Sequence, residues 1–503
     1  MTGKPLVEVS PSVRAWNVFL SSMAVVLITL DATIANIALP RIQSDLNLTT
    51  SQVPWILTSY ILANAIFMPL TGFLADRFGK RELLLTSVVG FVGTSFLCGI
   101  SQNLEQLVVA RMLQGASGAF LLPVSQSILL DIHTKETYAR AVGLWSMGII
   151  LGPIIGPTMG GYLTETLSWH WVFLINIPLG VPLFIGLSLV LPNCPNNKQR
   201  KFDLKGFVYL GIAVGLLQLL IDRGEGEDWL QSWEIRIELV LSLVFFAIFF
   251  IHIVGKKQPF IQLSCFKDGN YLAGMFFTSV TNWVVFGTSA LLPGYLQRIM
   301  GYSVIDTGLL MIPRGVGMLI AMAVLSRLSV NRNPLPFIAF GFILVAYSLS
   351  MMGNYNVQLN SEYIVWTGIL QGIGTSFVFM PTNVLCYLTL PAHLQTDAAS
   401  SLGLIRNLSG SIGISTIFTV FARDNQMFHA LLAETITPTR VMAGWPDVLS
   451  LQSTQGAWIL NQELTRQATM QSYLNIFVAM EWMALAIGLA VALALMQRML
   501  TRW

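Results

Sequence analysis

Six ionisable side chains stand inside, or at the rim of, stretches that otherwise carry no charge. Asp31 lies in LITLDATIAN, Arg111 in LVVARMLQG, Arg314 in LLMIPRGVG, Arg406 in LGLIRNLSG and Glu481 in FVAMEWMAL, while Asp222 closes LLQLLID. A carboxyl in apolar surroundings can take up and release a proton, because burial favours its neutral form and a nearby cation its charged form. Pairing with an arginine is the structural alternative for Asp31. The two roles are compatible, since a carboxylate released from an arginine can accept a proton. Arg111 falls at a depth from which it can reach Asp31. Enzymatic chemistry finds no comparable set. Cys98, Cys194, Cys265 and Cys386 are far apart and have neither redox nor metal spacing. Nucleotide-binding loops, paired histidine ligands and a defensible Ser-His-Asp set are missing from the sequence, which excludes a built-in ATPase and argues against a membrane-embedded transferase.

The elements that position these groups follow from composition. Of 503 residues, 54% are hydrophobic and 11% charged, with a mean hydropathy of +0.66. A soluble domain carries about 25% charged residues, so the chain is polytopic in a membrane, where spans of about 20 apolar residues are helices. Charge-free intervals predict spans over 16–38, 53–73, 83–101, 106–129, 140–163, 170–191, 205–221, 237–254, 271–296, 307–327, 335–352, 363–387, 399–421 and 473–496. With fourteen spans and a cytoplasmic N-terminus, eighteen Lys and Arg fall on inner segments and seven on outer ones. This bias places both termini inside. The near-neutral balance of 28 basic and 25 acidic residues gives no reason to expect nucleic acid. The polar, Pro-rich break at 192–201 separates the first six spans, and the stretch at 423–472, with Trp445-Pro446 and a polar, helix-compatible run after Ser450, is too long for a tight turn. The expected division is therefore 1–195, a six-helix bundle; 196–260, a linker with two inserted helices; and 261–503, a second bundle with an extracytoplasmic loop near 423–472.

Two short motifs narrow the class. GFLADRFGKR at 72–81 combines Gly72, Asp76, Arg77, Gly79 and Arg81 at the inner end of the second span. A positive-inside loop explains the bases but not that spacing. The motif resembles the loop between spans two and three of the major facilitator superfamily, where the resemblance implies a gate latch. VLSRLSVNR at 324–332 keeps two arginines at the equivalent place in the second half, as a degenerate internal repeat would. In GPIIGPTMGG and its approach, Gly148, Gly152, Gly156 and Gly160 recur every fourth residue, with Pro153 and Pro157 between them. Such a face lets helices approach closely, and prolines favour kinks. The arrangement resembles the antiporter motif of the superfamily's drug exporters.

LDATIANIALPRI at 30–42, the stretch around Arg111, and those around Asp222, Arg314 and Arg406 with Asn407 are similar to the fourteen-span drug:proton antiporters of EmrB/QacA type, closest to the EmrB branch. That resemblance covers nearly the whole chain. It implies the major facilitator fold, two six-helix bundles plus two inserted helices. It also implies proton coupling at Asp31 with Arg111, for which Asp222 is a further candidate; Glu481 matches no motif of the family and is either a second proton site or a lipid-shielded polar contact. Arg314, Arg406 and Asn407 are expected to belong to structural or gating intramembrane ion pairs, with contact to the substrate as the alternative for the two arginines. In this fold spans 1, 4, 9 and 12 line the central cavity, which makes Asn36, Asn282, Trp283, Phe286, Gln371, Phe379 and Asn383 candidates for contact with cargo. The implied function is export of hydrophobic or amphipathic drugs from the bacterial inner membrane by alternating access, without ATP or cofactor. A dedicated exporter of one metabolite, such as a siderophore or fatty acid, is the alternative. Relatives of this kind work with a periplasmic adaptor and an outer-membrane channel in double-membrane bacteria and act alone in single-membrane ones; the outer stretch and the acidic loop at 222–234 are the docking candidates.

Overall fold

The computed structural model describes residues 7, 9–49, 52–193, 202–224, 226–254, 256, 261–325, 327–328, 333–436 and 454–500. They form no strand, and fourteen long helical segments follow one another. These are α1 (Pro11–Asp45), α2 (Trp55–Phe78), α3 (Lys80–Gly99), α4 (Leu104–Ile132), α5 (Lys135–Thr166), α6 (Trp171–Val190) and α7 (Leu204–Arg223). The remainder are α8 (Trp233–Ile253), α9 (Gly269–Arg298), α10 (Val304–Leu325), α11 (Leu335–Gly353), α12 (Ser361–Leu388), α13 (Gln395–Thr435) and α14 (Thr454–Leu500). Among the described residues, thirteen of these segments are long and apolar enough to cross a membrane by length and composition. The predicted span at 140–163 falls within α5, a 32-residue helix lying along α1.

Polar caps set the helix starts. Ser10, Asn103, Asp203, Asp268 and Asn360 each accept a bond from a first-turn N–H, and Thr134 forms a capping box with Thr137. Each cap satisfies a donor that the helix itself leaves orphaned. One turn needs glycine: Gly79, between α2 and α3, has φ 99° and ψ 146°, a region that side chains other than hydrogen avoid.

Two apolar cores define the halves. One draws on α1–α4 and α6–α8 together with Leu404 and Leu408 of α13, the other on α9–α14. A third, built from both halves, lies at the inner end and includes Leu129, Tyr138, Trp145, Tyr271, Tyr387 and Ala398. The inserted pair sits against the α2 and α13 edge. Gly211 and Gly215 of α7 lie against Ile66, Gln218 Nε2 donates to Ser411 Oγ (2.9 Å), and Ser415 Oγ donates to the Ile221 carbonyl (2.7 Å). Ion clusters hold the pair at both ends. At the outer end Arg223 meets Glu234 (2.6 Å), Glu238 (3.1 Å) and Glu227 (3.4 Å). At the inner end Asp203 meets Lys256 (2.7 Å) and His252 (2.9 Å). Burial alone would raise the Asp203 carboxyl. The bonds from Lys256, His252 and the Gly206 N–H outweigh it and hold the group below its ordinary value.

The outer stretch departs from expectation in part, since its helix-compatible run after Ser450 is helical from Thr454 while α13 also extends into it. Instead of a loop over 423–472, α13 continues to Thr435 and α14 already begins at Thr454. At 41 and 47 residues these helices are roughly 60 and 70 Å long, against a hydrocarbon core of about 30 Å. They project on the outer side as a helical hairpin. Asn475 Nδ2 donates to Asp424 (2.6 Å), Thr469 to Asn425 (3.3 Å), and His429 Nε2 meets Asn461 Oδ1 (3.2 Å). Polar composition signals exposure rather than loop, and paired helices satisfy their backbones wherever they stand. Trp445-Pro446, the linker residues 194–201 and Arg332 lie outside the described residues.

Candidate functional site: a buried charge network

The glycine stripe of α5 fixes the helix that carries Asp31. Gly148 lies against the Ser22 carbonyl, Gly152 against the backbone of Thr29 and Leu30, Gly156 against Thr33, and Gly160 against Ile34. With no side chains between them, α1 threonines bond directly to α5 carbonyls: Thr29 Oγ1 to Gly148 (3.1 Å) and Thr33 Oγ1 to Gly152 (3.2 Å). Pro153 and Pro157 are helical, but their side chains lie outside the described ones.

Held in this register, Asp31 turns into the N-terminal bundle, where it is fully buried. Arg111 Nη1 donates to its Oδ2 (2.7 Å), while Gln114 Nε2 (2.8 Å) and Asn176 Nδ2 (2.7 Å) donate to Oδ1. Four helices thus contribute to one carboxylate site, since Ser95 of α3 accepts from both Gln114 (2.7 Å) and Asn176 (3.2 Å). Arg111 is itself held by the Ile56 carbonyl (3.2 Å), Gln114 Oε1 (2.6 Å) and the face of Tyr60, whose centroid is 4.1 Å away. A charged pair in membrane needs such compensation, because an isolated acid there costs about 2.5–3.5 kcal/mol on insertion scales. Gln114, Asn176, Ser95 and Tyr60 were not legible as site residues; neutral polar groups are common in spans, and these come from four separate helices.

The other acids stand apart from this network. Asp222 is exposed at the outer end of α7 and accepts from Gln218 (2.9 Å). Glu481 is half-buried on α14 and has no hydrogen bond or ion pair among the described residues.

The motif at 72–81 brings together more than its basic count implied. Gly72 faces the Asp397 carboxylate of α13, which leaves no room there for a β-carbon. Asp76 is half-buried and Arg77 exposed. Arg81 donates to the Ser188 (2.8 Å) and Leu191 (3.2 Å) carbonyls at the end of α6. Lys80, absent from the sequence-derived set, pairs with Asp131 at 2.5 Å, almost fully buried. Lys80→Met leaves Asp131 unpaired and should cost about 3–5 kcal/mol, read as a lower midpoint of thermal unfolding in detergent. Lys80→Met/Asp131→Asn should recover most of it.

Polar contacts between the halves close the inner end. Gln126 Nε2 donates to Asn383 Oδ1 (3.2 Å), Ser127 meets Thr396 (2.9 Å), and the Tyr138 and Tyr387 rings pack edge-on at 6.2 Å. Deeper in, Asn407 Nδ2 donates to Asn64 Oδ1 (2.8 Å). Of the cavity candidates, Asn36 and Phe286 are exposed and Trp283 and Phe379 half-buried, with Trp283 Nε1 donating to Thr416 (2.9 Å). Asn282, Gln371 and Asn383 are buried and line no open cavity in this arrangement. Gln371 packs within the second bundle, where α12 lies close on α10 through Gly372 and on α11 through Gly374. Nor do the expected ion pairs form. Arg314 donates to Ser289 Oγ (3.1 Å) and the Val285 carbonyl (3.4 Å), Arg406 to Asn383 Oδ1 (3.3 Å), and neither meets a carboxylate among the described residues. The facing helices α9 and α12 offer only neutral groups at those levels.

Two helical bundles sealed at one end, with an ion pair buried inside one of them, have the build of a membrane transporter. The family follows from comparison: residues 21–414 match the Major Facilitator Superfamily, and the chain belongs to it. It is 33% identical over 475 residues to the Multidrug export protein EmrB of Escherichia coli (strain K12), covering 93% of this chain and 92% of that one. It is 32% identical over 470 residues to the Fatty acid resistance protein FarB of Neisseria gonorrhoeae, covering 92% and 93%. Among solved structures, the human organic anion transporter MFSD10 superposes with a TM-score of 0.61 at 12% identity, over 95% of this chain and 100% of that one.

Proposed function

We propose that this chain exports amphipathic small molecules across a bacterial inner membrane in exchange for protons, with Asp31 as the proton carrier. The observation that carries the reading is the buried Asp31–Arg111 pair at 2.7 Å. With the inner end closed, every donor around Asp31 is directed at a carboxylate, and a proton there has to displace one of them. Movement of α1 against α4 or α6 as the bundles rock separates acid from cation and makes room for the proton. Charge entering with each proton supplies about 2.3 kcal/mol per 100 mV, so neither ATP nor a cofactor is required. The relatives named for multidrug export and fatty acid resistance support export as the direction. The projecting hairpin of α13 and α14 supports docking of a periplasmic adaptor leading to an outer-membrane channel. Export is tested in inverted vesicles energised by respiration: they should accumulate an amphipathic dye, and lose it when an ionophore collapses the proton gradient. Accumulation that survives the ionophore would contradict proton exchange.

A further inference from the structure

We propose that Arg406 anchors an anionic group of the transported compound, so that the inner part of the central site is built for amphipathic acids. The proposal rests on the export reading above and names its cargo class. Arg406 lies about 16 Å from the inner end of α13 at helical rise and is 5% exposed. Its Nη2 donates to Asn383 Oδ1 at 3.3 Å, while its Nε and Nη1 are buried and reach no acceptor. Arg111 shows what a buried arginine in this protein looks like when its counter-ion is built in; Arg406 has none among the described residues.

The surroundings suit a carboxylate with an apolar body. The Phe379 ring lies 5.2 Å from the guanidinium carbon. The hydroxyl of Tyr387, one turn along α12 from Asn383, is buried without a partner. A guanidinium and a neutral hydroxyl are donors to an anion, and charge-assisted bonds of this kind are the strong ones. Among the described residues no carboxylate meets Arg406 that could receive an ammonium compound instead.

The placement also fits the direction of transport. Asn383 Oδ1 accepts from Arg406 of its own bundle and from Gln126 of the other, at 3.3 and 3.2 Å. One neutral oxygen therefore serves two donors while the inner end is shut. When the inner ends part, Gln126 withdraws and Arg406 faces the cytoplasmic side, where an exporter loads. Closure brings Gln126 back to Asn383, shrinks the space around Arg406 and drives the anion outward.

The test uses the full chain in detergent and two fluorescent probes that differ in one charge: 11-(dansylamino)undecanoate and its methyl ester. Wild type should bind the acid at least tenfold more tightly than the ester. Arg406→Gln should bind both with the ester's affinity, and Arg406→Lys should keep part of the preference. Retained ester binding shows that the variant is folded. Equal binding of the two probes by wild type, or an acid preference unchanged in Arg406→Gln, would overturn the assignment. Because the readout is binding, failure of proton-driven export in vesicles leaves it standing, and its failure leaves the export reading standing.

Discussion

Asp31→Asn should abolish dye accumulation in energised inverted vesicles, down to the level of vesicles without the protein. The amide cannot carry the proton, and it also presents a donor where the carboxylate accepts from Arg111, Gln114 and Asn176 at 2.7–2.8 Å. One donor must then point at another, and Arg111 is left as a buried charge without its partner. Removing one member of such a pair costs about 3–5 kcal/mol, so loss of transport by itself is ambiguous. The double variant Asp31→Asn/Arg111→Gln separates the two effects. It removes both charges, should return thermal stability close to wild type, and should still fail to accumulate dye. Recovery of transport along with stability would move the coupling site away from Asp31.

The second large effect is expected at Gly152, which touches neither charge. A β-carbon placed there meets Thr29 carbonyl carbon at 2.5 Å and Leu30 nitrogen at 2.6 Å. These are backbone atoms and cannot swing aside, so Gly152→Ala must push α1 away from α5. Overpacking of this kind costs about 1–3 kcal/mol, and a displacement of about 1 Å in reacting groups costs on the order of 100-fold in rate. Asp31 follows Leu30 directly, so the displacement is delivered to the network. Gly161→Ala is the matched control: on the same helix, nothing lies within 4 Å of its β-carbon. Initial rates of dye accumulation, normalised to protein in the vesicles, should fall for the first variant and stay at wild type for the second. Equal rates would show that the stripe has no part in positioning Asp31.

These two positions mark what the sequence made legible. A carboxylate in an apolar run is rare enough to be noticed, and so is a glycine every fourth residue, because lipid permits few exceptions to helical, apolar spans. The same constraint made the helices countable. The partners of Asp31 were hidden by the opposite circumstance. Gln114, Asn176 and Ser95 are ordinary polar residues whose meeting depends on how four helices are rotated, and no local spacing records that rotation. Lys80 was concealed by its neighbours, since Arg77 and Arg81 gave it a topological explanation while its buried partner Asp131 stands 51 residues away. Arg314 and Arg406 were expected to find acids because buried arginines usually need them. The structure surrounds them with hydroxyls, carbonyls and an amide instead, an arrangement that leaves Arg406 able to receive a charge from outside the chain. The outer stretch was legible only in part: its run after Ser450 was compatible with a helix, but polarity marks contact with water and did not show that α13 keeps its hydrogen bonds past the membrane as far as Thr435.

Central to the account is that Asp31 exchanges its proton against cargo. The most direct measurement adds an amphipathic acid, as its salt and at matched pH, to weakly buffered purified protein and follows proton release with a soluble pH dye. Wild type should release protons in a saturable manner as the compound binds, and the Asp31→Asn/Arg111→Gln variant should bind the same compound without release. Release of equal size from that variant would contradict the assignment of the proton to Asp31.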